Sequence, residues 1–461
     1  MNISGGGRCP AHFSGFTAFL AAAKPYCGKI HSTIIENTKN YCAAKPDSSI
    51  AYFYFSFNDT EKQKTCNFLR SVLAQLANQR QRIPDSLQSL YNGYRHGQPP
   101  TADLKRTLQS VLKLSGQTFI IADALDECPS NGTERVELCA LLTEFSRWAL
   151  PNLHILVTSR NEPDINEALS ALVTFPAICI QSKQVDADIR LYVKTELEND
   201  PKLKKWSIQI KKEIENTLVE GADGMFRWVF CQLESLRKCL KPNTVRKVLK
   251  SLPKTLDDTY ARILLSIDDE YHQEAIAAIK WLAFSDRPLR VEELAEAVVI
   301  KPQADLPCDP EERLADPHDI LQILSSLVVT STRKRQLSVD GWLEPEEVEE
   351  IRLAHFSVKE YLVSDRVKPL PVMAFCTTDA IAHRATAESC LLYILNYEHV
   401  EDKTLSEEDL EKFPLLQYAC RFWPTHAKAN QDVIENSLSD LAFKLLVSDS
   451  GLSSWLQVYI A

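Results

Sequence analysis

The sequence predicts an α/β fold: a parallel-sheet core in the first part of the chain, then helical and winged-helix domains and a C-terminal helical segment. Three observations carry this. Short β-rich runs alternate with longer helical stretches from residue 50 to residue 182, and beyond 182 strand-like runs become sparse while helical periodicity persists. Within 256–370, helices are followed by a small hairpin pattern, the arrangement of a winged helix. A chain of 461 residues, 45% of them hydrophobic, has material for about two to four cored domains.

The elements follow in order. FTAFLAAA (Phe16–Ala23) is too short for a membrane span and reads as a buried strand or helix segment. The expected core strands are Ile50–Phe57, Thr118–Asp123, His154–Ser159 and Ala177–Gln181. Between them, Lys62–Gln79 places Phe68, Leu69, Val72, Leu73 and Leu76 on one helical face, and Glu134–Leu150 reads the same way. These make a core over 1–182.

Helices at Asp186–Glu198, Ile208–Val219 and Met225–Leu240 make a helical subdomain over 183–255. The aromatic stripe opening at GMFRWV (Gly224–Val229) is read as core packing, not as a base-binding box. Helices at Leu256–Ile267, Gln273–Phe284, Val291–Val299 and Ile320–Leu327, with β-like pieces at Leu327–Ser331 and Arg335–Asp340, make the winged-helix domain over 256–370. Pro302–Pro317 is rich in proline and acid and reads as an exposed loop. Residues 371–461 read as further helices without a fixed-period repeat.

Charge and cysteine usage exclude several functions. The net charge is −10, with acidic runs at Glu344–Glu350 and Glu407–Glu411, so no basic face is expected for phosphate backbones or anionic lipid. Nucleic acid is not an expected partner; the candidate recognition helix of the winged region, VEELAEAVV, is acidic. No apolar run is long enough for a membrane span. Thirteen scattered cysteines without a CxxC pair fit a reducing, cytoplasmic setting and neither a disulfide framework nor a zinc site.

The residues with chemical potential cluster near strand ends. AKPYCGKI (Ala23–Ile30) has the Gly28-Lys29 pair of a phosphate loop, but Ala23 and Tyr26 stand where glycines belong and Ile30 replaces the hydroxyl that ligates Mg²⁺. FIIADALDEC (Phe119–Cys128) sets Asp123 at the C-terminal end of a buried strand, where a carboxylate holds Mg²⁺ through water. Asp126 and Glu127 follow as candidates to polarise an attacking water; an ordinary acidic turn is the competing reading. VTSR places Arg160 at the next strand end, as a γ-phosphate sensor or a plain surface arginine.

Together these segments resemble the NACHT class of STAND P-loop NTPases, in particular fungal proteins similar to the nephrocystin-3 N-terminal NTPase. The winged-helix region resembles that of GPI inositol-deacylase-type NACHT proteins. The matching pieces, in family order, are KPYCGK, FYFSFND, FIIADALDEC, ILVTSRNEPDI, GMFRWVFCQLESLRKC, SLPKTLDDTYARIL, LAFSDRPLRVEELAEAV and HFSVKEYLVSD. LLQYACRFWPTHA (Leu415–Ala427) looks like the helical stretch that precedes repeats in the class.

The resemblance implies a nucleotide-gated switch with ATP/ADP or GTP/GDP and Mg²⁺ as cofactors, partner proteins met through helical regions, and oligomers formed on activation. It also implies a role for His355 of HFSVKEYL in touching the β-phosphate; a histidine that satisfies backbone groups at a strand-to-helix junction is the alternative. The damaged phosphate loop leads us to expect weakened binding and slow or absent hydrolysis. A pseudo-NTPase scaffold that no longer binds nucleotide is the rival reading. About twenty residues precede the loop, too few for an effector domain, and the chain stops where repeats are expected to start.

Overall fold

A computed structural model describes residues 20–22, 27–45, 47–80, 82–95, 97–130, 132–160, 162–170, 182–304, 306–339, 342–364, 370–400, 407–429 and 436–460. It divides into two compact units, 1–230 and 231–461.

The first unit is built on four parallel strands: β1 (Leu20–Ala22), β2 (Ser48–Tyr54), β3 (Gln117–Asp123) and β4 (Leu153–Ser159), in the order β1-β4-β3-β2. Its helices are α1 (Cys27–Ala43), α2 (Thr65–Asn78), α3 (Asp85–Gly93), α4 (Thr101–Lys113), α5 (Glu134–Arg147), α6 (Pro163–Ser170), α7 (Ser182–Asn199) and α8 (Ile208–Gly221). Helix α9 (Phe226–Arg237) spans the division between the units.

Alternation along the strands explains why both sheet faces are covered. Ala51, Ile120, Ala122, Ile155 and Val157 join one core with Phe68, Leu69, Val72, Leu108, Leu142 and Phe145 from α2, α4 and α5. Ile50 and Ile121, one residue out of phase, join Ile35 and Cys42 of α1 in a second core on the other face.

The outer edge of the sheet is protected by side chains. Gln79 exchanges hydrogen bonds with Ile50, donating Nε2 to its carbonyl (2.6 Å) and accepting its N–H (3.0 Å). Gln75 does the same for Tyr52, at 2.7 and 3.1 Å. Two side-chain amides, one on α2 and one on the residue that caps its end, thereby supply the partners a further strand would have provided.

Strands β2, β3 and β4 and helices α2 and α5 lie where the sequence places them, with shifted ends. The expected strand Ile50–Phe57 stops at Tyr54: the Phe55 amide still reaches the carbonyl of Asp123 at the end of β3, and the Phe57 amide turns to the Glu127 carboxylate in the loop beyond. The segment FTAFLAAA contributes Leu20–Ala22 as β1. The expected strand Ala177–Gln181 lies outside the described residues.

The second unit contains α10 (Pro242–Lys250), α11 (Leu256–Leu264), α12 (His272–Phe284), β5 (Leu289–Arg290), α13 (Val291–Val298), α14 (Asp319–Leu324), β6 (Val328–Val339), β7 (Trp342–Leu353) and α15 (Phe356–Val363). It continues with α16 (Leu370–Met373), α17 (Asp379–Glu398), α18 (Glu407–Lys412), α19 (Leu416–Lys428), α20 (Asn436–Val447) and α21 (Asp449–Ile460). The antiparallel order β5-β7-β6 with α12, α13 and α14 is a winged-helix arrangement.

The hairpin corrects the expected one. The two β-like pieces at 327–331 and 335–340 are one continuous strand, β6, and its partner β7 contains the acidic run Glu344–Glu350. The register sets Lys334 opposite Glu347 and Arg335 opposite Glu346, and Arg333 Nη1 lies 3.4 Å from Glu350 across the same ladder.

Helix α13 is held from inside by Glu293, 1% exposed. Its carboxylate accepts from Arg287 Nη1 and Nη2 at 2.8 and 2.7 Å and from the Arg290 amide at 2.8 Å. Burial opposes ionisation of Glu293, but Arg287 and Arg290 outweigh it and hold the carboxyl below the usual carboxylate range. Glu293→Ala would leave Arg287 without its anion, and we expect a loss of about 3 kcal/mol of stability in urea unfolding.

A second buried polar chain joins α17 to α19. His426 is fully buried, its Nδ1 lies 2.7 Å from His383 Nδ1, and its Nε2 lies 2.9 Å from the Tyr418 hydroxyl. Burial, and next the neighbouring His383, push the His426 imidazole down to about 3. A folded value below the unfolded one means the unfolded chain binds protons first as pH falls. Stability is therefore expected to decline from about pH 6.5 toward about pH 3, and less so in His426→Gln, as read by unfolding at several pH values.

Candidate functional site

The C-terminal ends of β1, β3 and β4 meet at one crevice. Ala22, the last residue before the phosphate-loop segment, is in register with Ser159, and Ala122 with Val157. Residues 23–26 lie outside the described residues, and α1 begins at Cys27, so Gly28 and Lys29 sit in its first turn; their side chains are outside the described residues too. AKPYCGKI thus lies between the end of β1 and the first turn of α1, the position a phosphate loop would take.

Asp123 ends β3, 8% exposed, and its carboxylate accepts a hydrogen bond from the Thr158 hydroxyl of β4. That hydroxyl in turn accepts the Ala124 amide at 3.0 Å. Ala124 is left-handed, at φ 58° and ψ 54°, a strained conformation for a residue with a Cβ. The turn folds Leu125–Glu127 back as a short 3-10 helix beneath the strand ends.

Asp126 is gripped from two directions. Its Oδ1 accepts the Arg160 amide at 3.0 Å and its Oδ2 accepts Arg160 Nε at 2.6 Å, a charge-assisted pair joining the acidic turn to the end of β4. Arg135, 7% exposed, donates Nη2 to the Asp126 carbonyl at 2.6 Å and Nε to the Cys128 carbonyl at 2.7 Å. Its Nη1 lies 3.4 Å from Asp164. Glu134, next in the chain, accepts the Thr65 amide at 2.8 Å and so caps α2.

Glu127 accepts the Phe57 amide at 3.1 Å. Burial pushes its carboxyl up to about 8; the Phe57 hydrogen bond opposes this, and the Asp126 and Asp123 charges reinforce it. A carboxyl in that range is protonated near neutral pH, which is unfavourable for a general base.

The site therefore brings together Asp123, Asp126, Glu127 and Arg160. His355 belongs to the second unit, where it is the N-cap of α15: its Nδ1 accepts the Ser357 amide at 3.1 Å, and the Ser357 hydroxyl lies 2.7 Å away. An accepting Nδ1 leaves the ring proton on Nε2, the tautomer that can donate to an anion. Sequence reasoning missed Thr158, Arg135 and Glu134. The signal available was only adjacency, one residue before Ser159 and seven and six residues after Cys128.

A Mg²⁺–nucleotide fits this donor set in part. No group of three or more His, Cys, Asp or Glu able to hold a metal occurs among the described residues, so phosphate oxygens and water would have to complete a shell begun by Asp123. The buried Ser159 hydroxyl, 3% exposed and without a hydrogen-bond partner among the described residues, belongs to the residue in register with Ala22, the last before the phosphate-loop segment, and fits a polar ligand there.

The raised Glu127 carboxyl has a measurable consequence. Its protonated form contributes stability that is fully present below the unfolded value, about pH 4.5, and lost as pH rises through about 8. Glu127→Gln, which stays neutral, is expected to match the wild type at about pH 5 and exceed it at about pH 9 in urea unfolding.

Comparison with known proteins places these features in a family. Residues 14–160 match the family model for the nephrocystin 3 N-terminal region. The azaphilone pigments biosynthesis cluster protein L of Monascus ruber is 30% identical over 230 residues, 48% of this chain and 46% of that protein. The vegetative incompatibility protein HET-E-1 of Podospora anserina is 23% identical over 427 residues, 89% of this chain and 30% of that protein. The chain thus spans less than half the length of either curated relative.

Among solved structures, a Walker-type ATPase of Pyrococcus abyssi shares 14% identity at a TM-score of 0.29, covering 75% of this chain and 91% of that one. The Aeropyrum pernix ORC1 protein in complex with DNA shares 14% at a TM-score of 0.32, covering 75% and 85%. The family match over 14–160 and the two fungal relatives support a fungal NACHT/STAND NTPase.

Proposed function

We propose that the chain is a nucleotide-dependent switch core in a signalling pathway of the vegetative-incompatibility kind, binding ATP or GTP with Mg²⁺ and hydrolysing it slowly or not at all. The carrying observation is the convergence of the β1, β3 and β4 ends on Asp123, the partnerless Ser159 hydroxyl and the Arg160–Asp126 pair. Bound Mg²⁺ would bridge the nucleotide phosphates to the acidic end of β3, beside the polar Ser159 hydroxyl. Asp123 would hold the ion through water, and the first turn of α1 would offer its amides and Lys29 to phosphate.

Arg160 gives the switch its contrast. Its guanidinium is engaged by Asp126, and a phosphate within reach would compete for it, loosening the acidic turn from the end of β4. Glu127, protonated near neutral pH, makes a weak base, which supports slow or absent hydrolysis. His355, whose Nδ1 accepts the Ser357 amide within the second unit, keeps its ring proton on Nε2, the form the family resemblance asks of a phosphate donor. Partner proteins and assembly through helical regions belong to the same reading.

The test is thermal unfolding with ATP, ADP, GTP or GDP, with and without Mg²⁺, in wild type, Lys29→Ala and Asp123→Asn. At about a hundredfold excess over Kd, a ligand of the native state adds about 2.7 kcal/mol and raises Tm by several degrees. Lys29→Ala should lose the rise and Asp123→Asn only its Mg²⁺-dependent part. No rise at millimolar nucleotide would leave the scaffold reading in its place.

A further inference from the structure

One stretch of this acidic chain is strongly basic. From Ser235 to Leu256 it has seven lysines and arginines and no aspartate or glutamate, against a net charge of −10 for the whole. The expectation that no basic face exists holds for the average and fails here.

Helix α10 turns the stretch into a surface. Val245 is buried and Val248 and Leu249 are half-buried on one side, while Asn243, Lys247 and Lys250 are exposed on the other. Lys241 before the helix and Lys254 after it are exposed as well. Lys238 and Arg262 line a cavity of about 210 Å³ that Val248 also lines, which brings two further cations to the helix.

Arg237 pairs with Glu234, whereas the lysines of the stretch are not neutralised among the described residues. The side-chain ammonium groups of Lys238, Lys241, Lys247, Lys250 and Lys254 have no ion-pair or hydrogen-bond partner among the described residues. Elsewhere lysines pair, as in Lys39–Glu36, Lys105–Glu144 and Lys301–Glu312. Beside them stands Leu240, 82% exposed and the most exposed large hydrophobic side chain among the described residues.

We propose that this face docks the protein on an anionic membrane surface, with the lysines over lipid headgroups and Leu240 entering the headgroup–acyl boundary. Clusters of four to eight lysines and arginines on an amphipathic helix are attracted to anionic leaflets. The apolar side of α10 is packed into the protein, so attachment is peripheral and largely electrostatic. A nucleic-acid reading fits less well: no aromatic residue interrupts 235–256 to stack on bases, and Leu240 gains nothing against a phosphodiester backbone.

The experiment is co-sedimentation of the full chain with vesicles of phosphatidylcholine containing phosphatidylserine, and of phosphatidylcholine alone, across a salt series. Binding to the anionic vesicles only, weakening with salt, is expected. Lys247→Gln/Lys250→Gln should lower the partition coefficient about 30-fold. Leu240→Ser should lower it about tenfold. Lys202→Gln/Lys204→Gln, exposed lysines outside the stretch, should leave it unchanged. Equal sedimentation with both vesicles, or binding indifferent to the α10 substitutions, would overturn the proposal. Tighter binding to duplex DNA, with Leu240→Ser without effect, would replace it with a polyanion site.

Discussion

The crevice depends on one shared carboxylate. Asp126 receives both the amide and the side chain of Arg160, while Arg135 takes the carbonyls of Asp126 and Cys128 from the opposite side. An acidic turn crowded with Asp123, Asp126 and Glu127 would otherwise repel itself, and the two arginines supply the compensation that burial demands. The turn also closes the sheet: Phe55 and Phe57 give their amides to Asp123 and Glu127, ending β2 where the loop begins. Left-handed Ala124 is the strained point of the turn, held by Thr158 and Asp123 together.

Buried charge is handled by the same physics in the second unit. Glu293 is satisfied by Arg287 and the Arg290 amide, which fixes the start of α13 against β5. His355 and Ser357 cap α15, and the Tyr260 hydroxyl reaches Ser357 at 2.7 Å, tying α11 to that cap. Family motifs such as SDRPLRVEELAEAV and HFSVKEYL therefore have structural reasons for their composition, beside any contact with nucleotide. A His355 ring held by its own helix is pre-oriented, so one observation serves both readings of that residue.

Charge averages conceal local chemistry in both directions. The run EPEEVEE, which reads as a solvated acidic segment, is strand β7, opposite the basic residues of β6. The basic stretch around α10 is invisible in a net charge of −10, yet it holds lysines whose side chains have no partner among the described residues. What neutralises a charge is decided by the neighbour that folding brings, and neighbours across a ladder or along a helix face do not show in a total.

The sequence by itself determined the alternating core, the helical second half, the winged-helix pattern and the positions of Asp123, Asp126, Glu127 and Arg160 near strand ends. Those features are written in local periodicity: period two in strands, period 3.6 in helices, and acid or arginine where an apolar run stops. It missed α3 and α4, the continuity of β6, and the roles of Arg135, Glu134 and Thr158. These depend on partners distant in sequence, such as Thr65 with Glu134, Gln79 with Ile50 and Arg160 with Asp126, and no local pattern encodes them. The protonation of Glu127 is likewise a tertiary matter. Its desolvation and its neighbouring carboxylates arise only when β2, β3 and β4 come together, because a shift in pKa measures an environment and not a residue type.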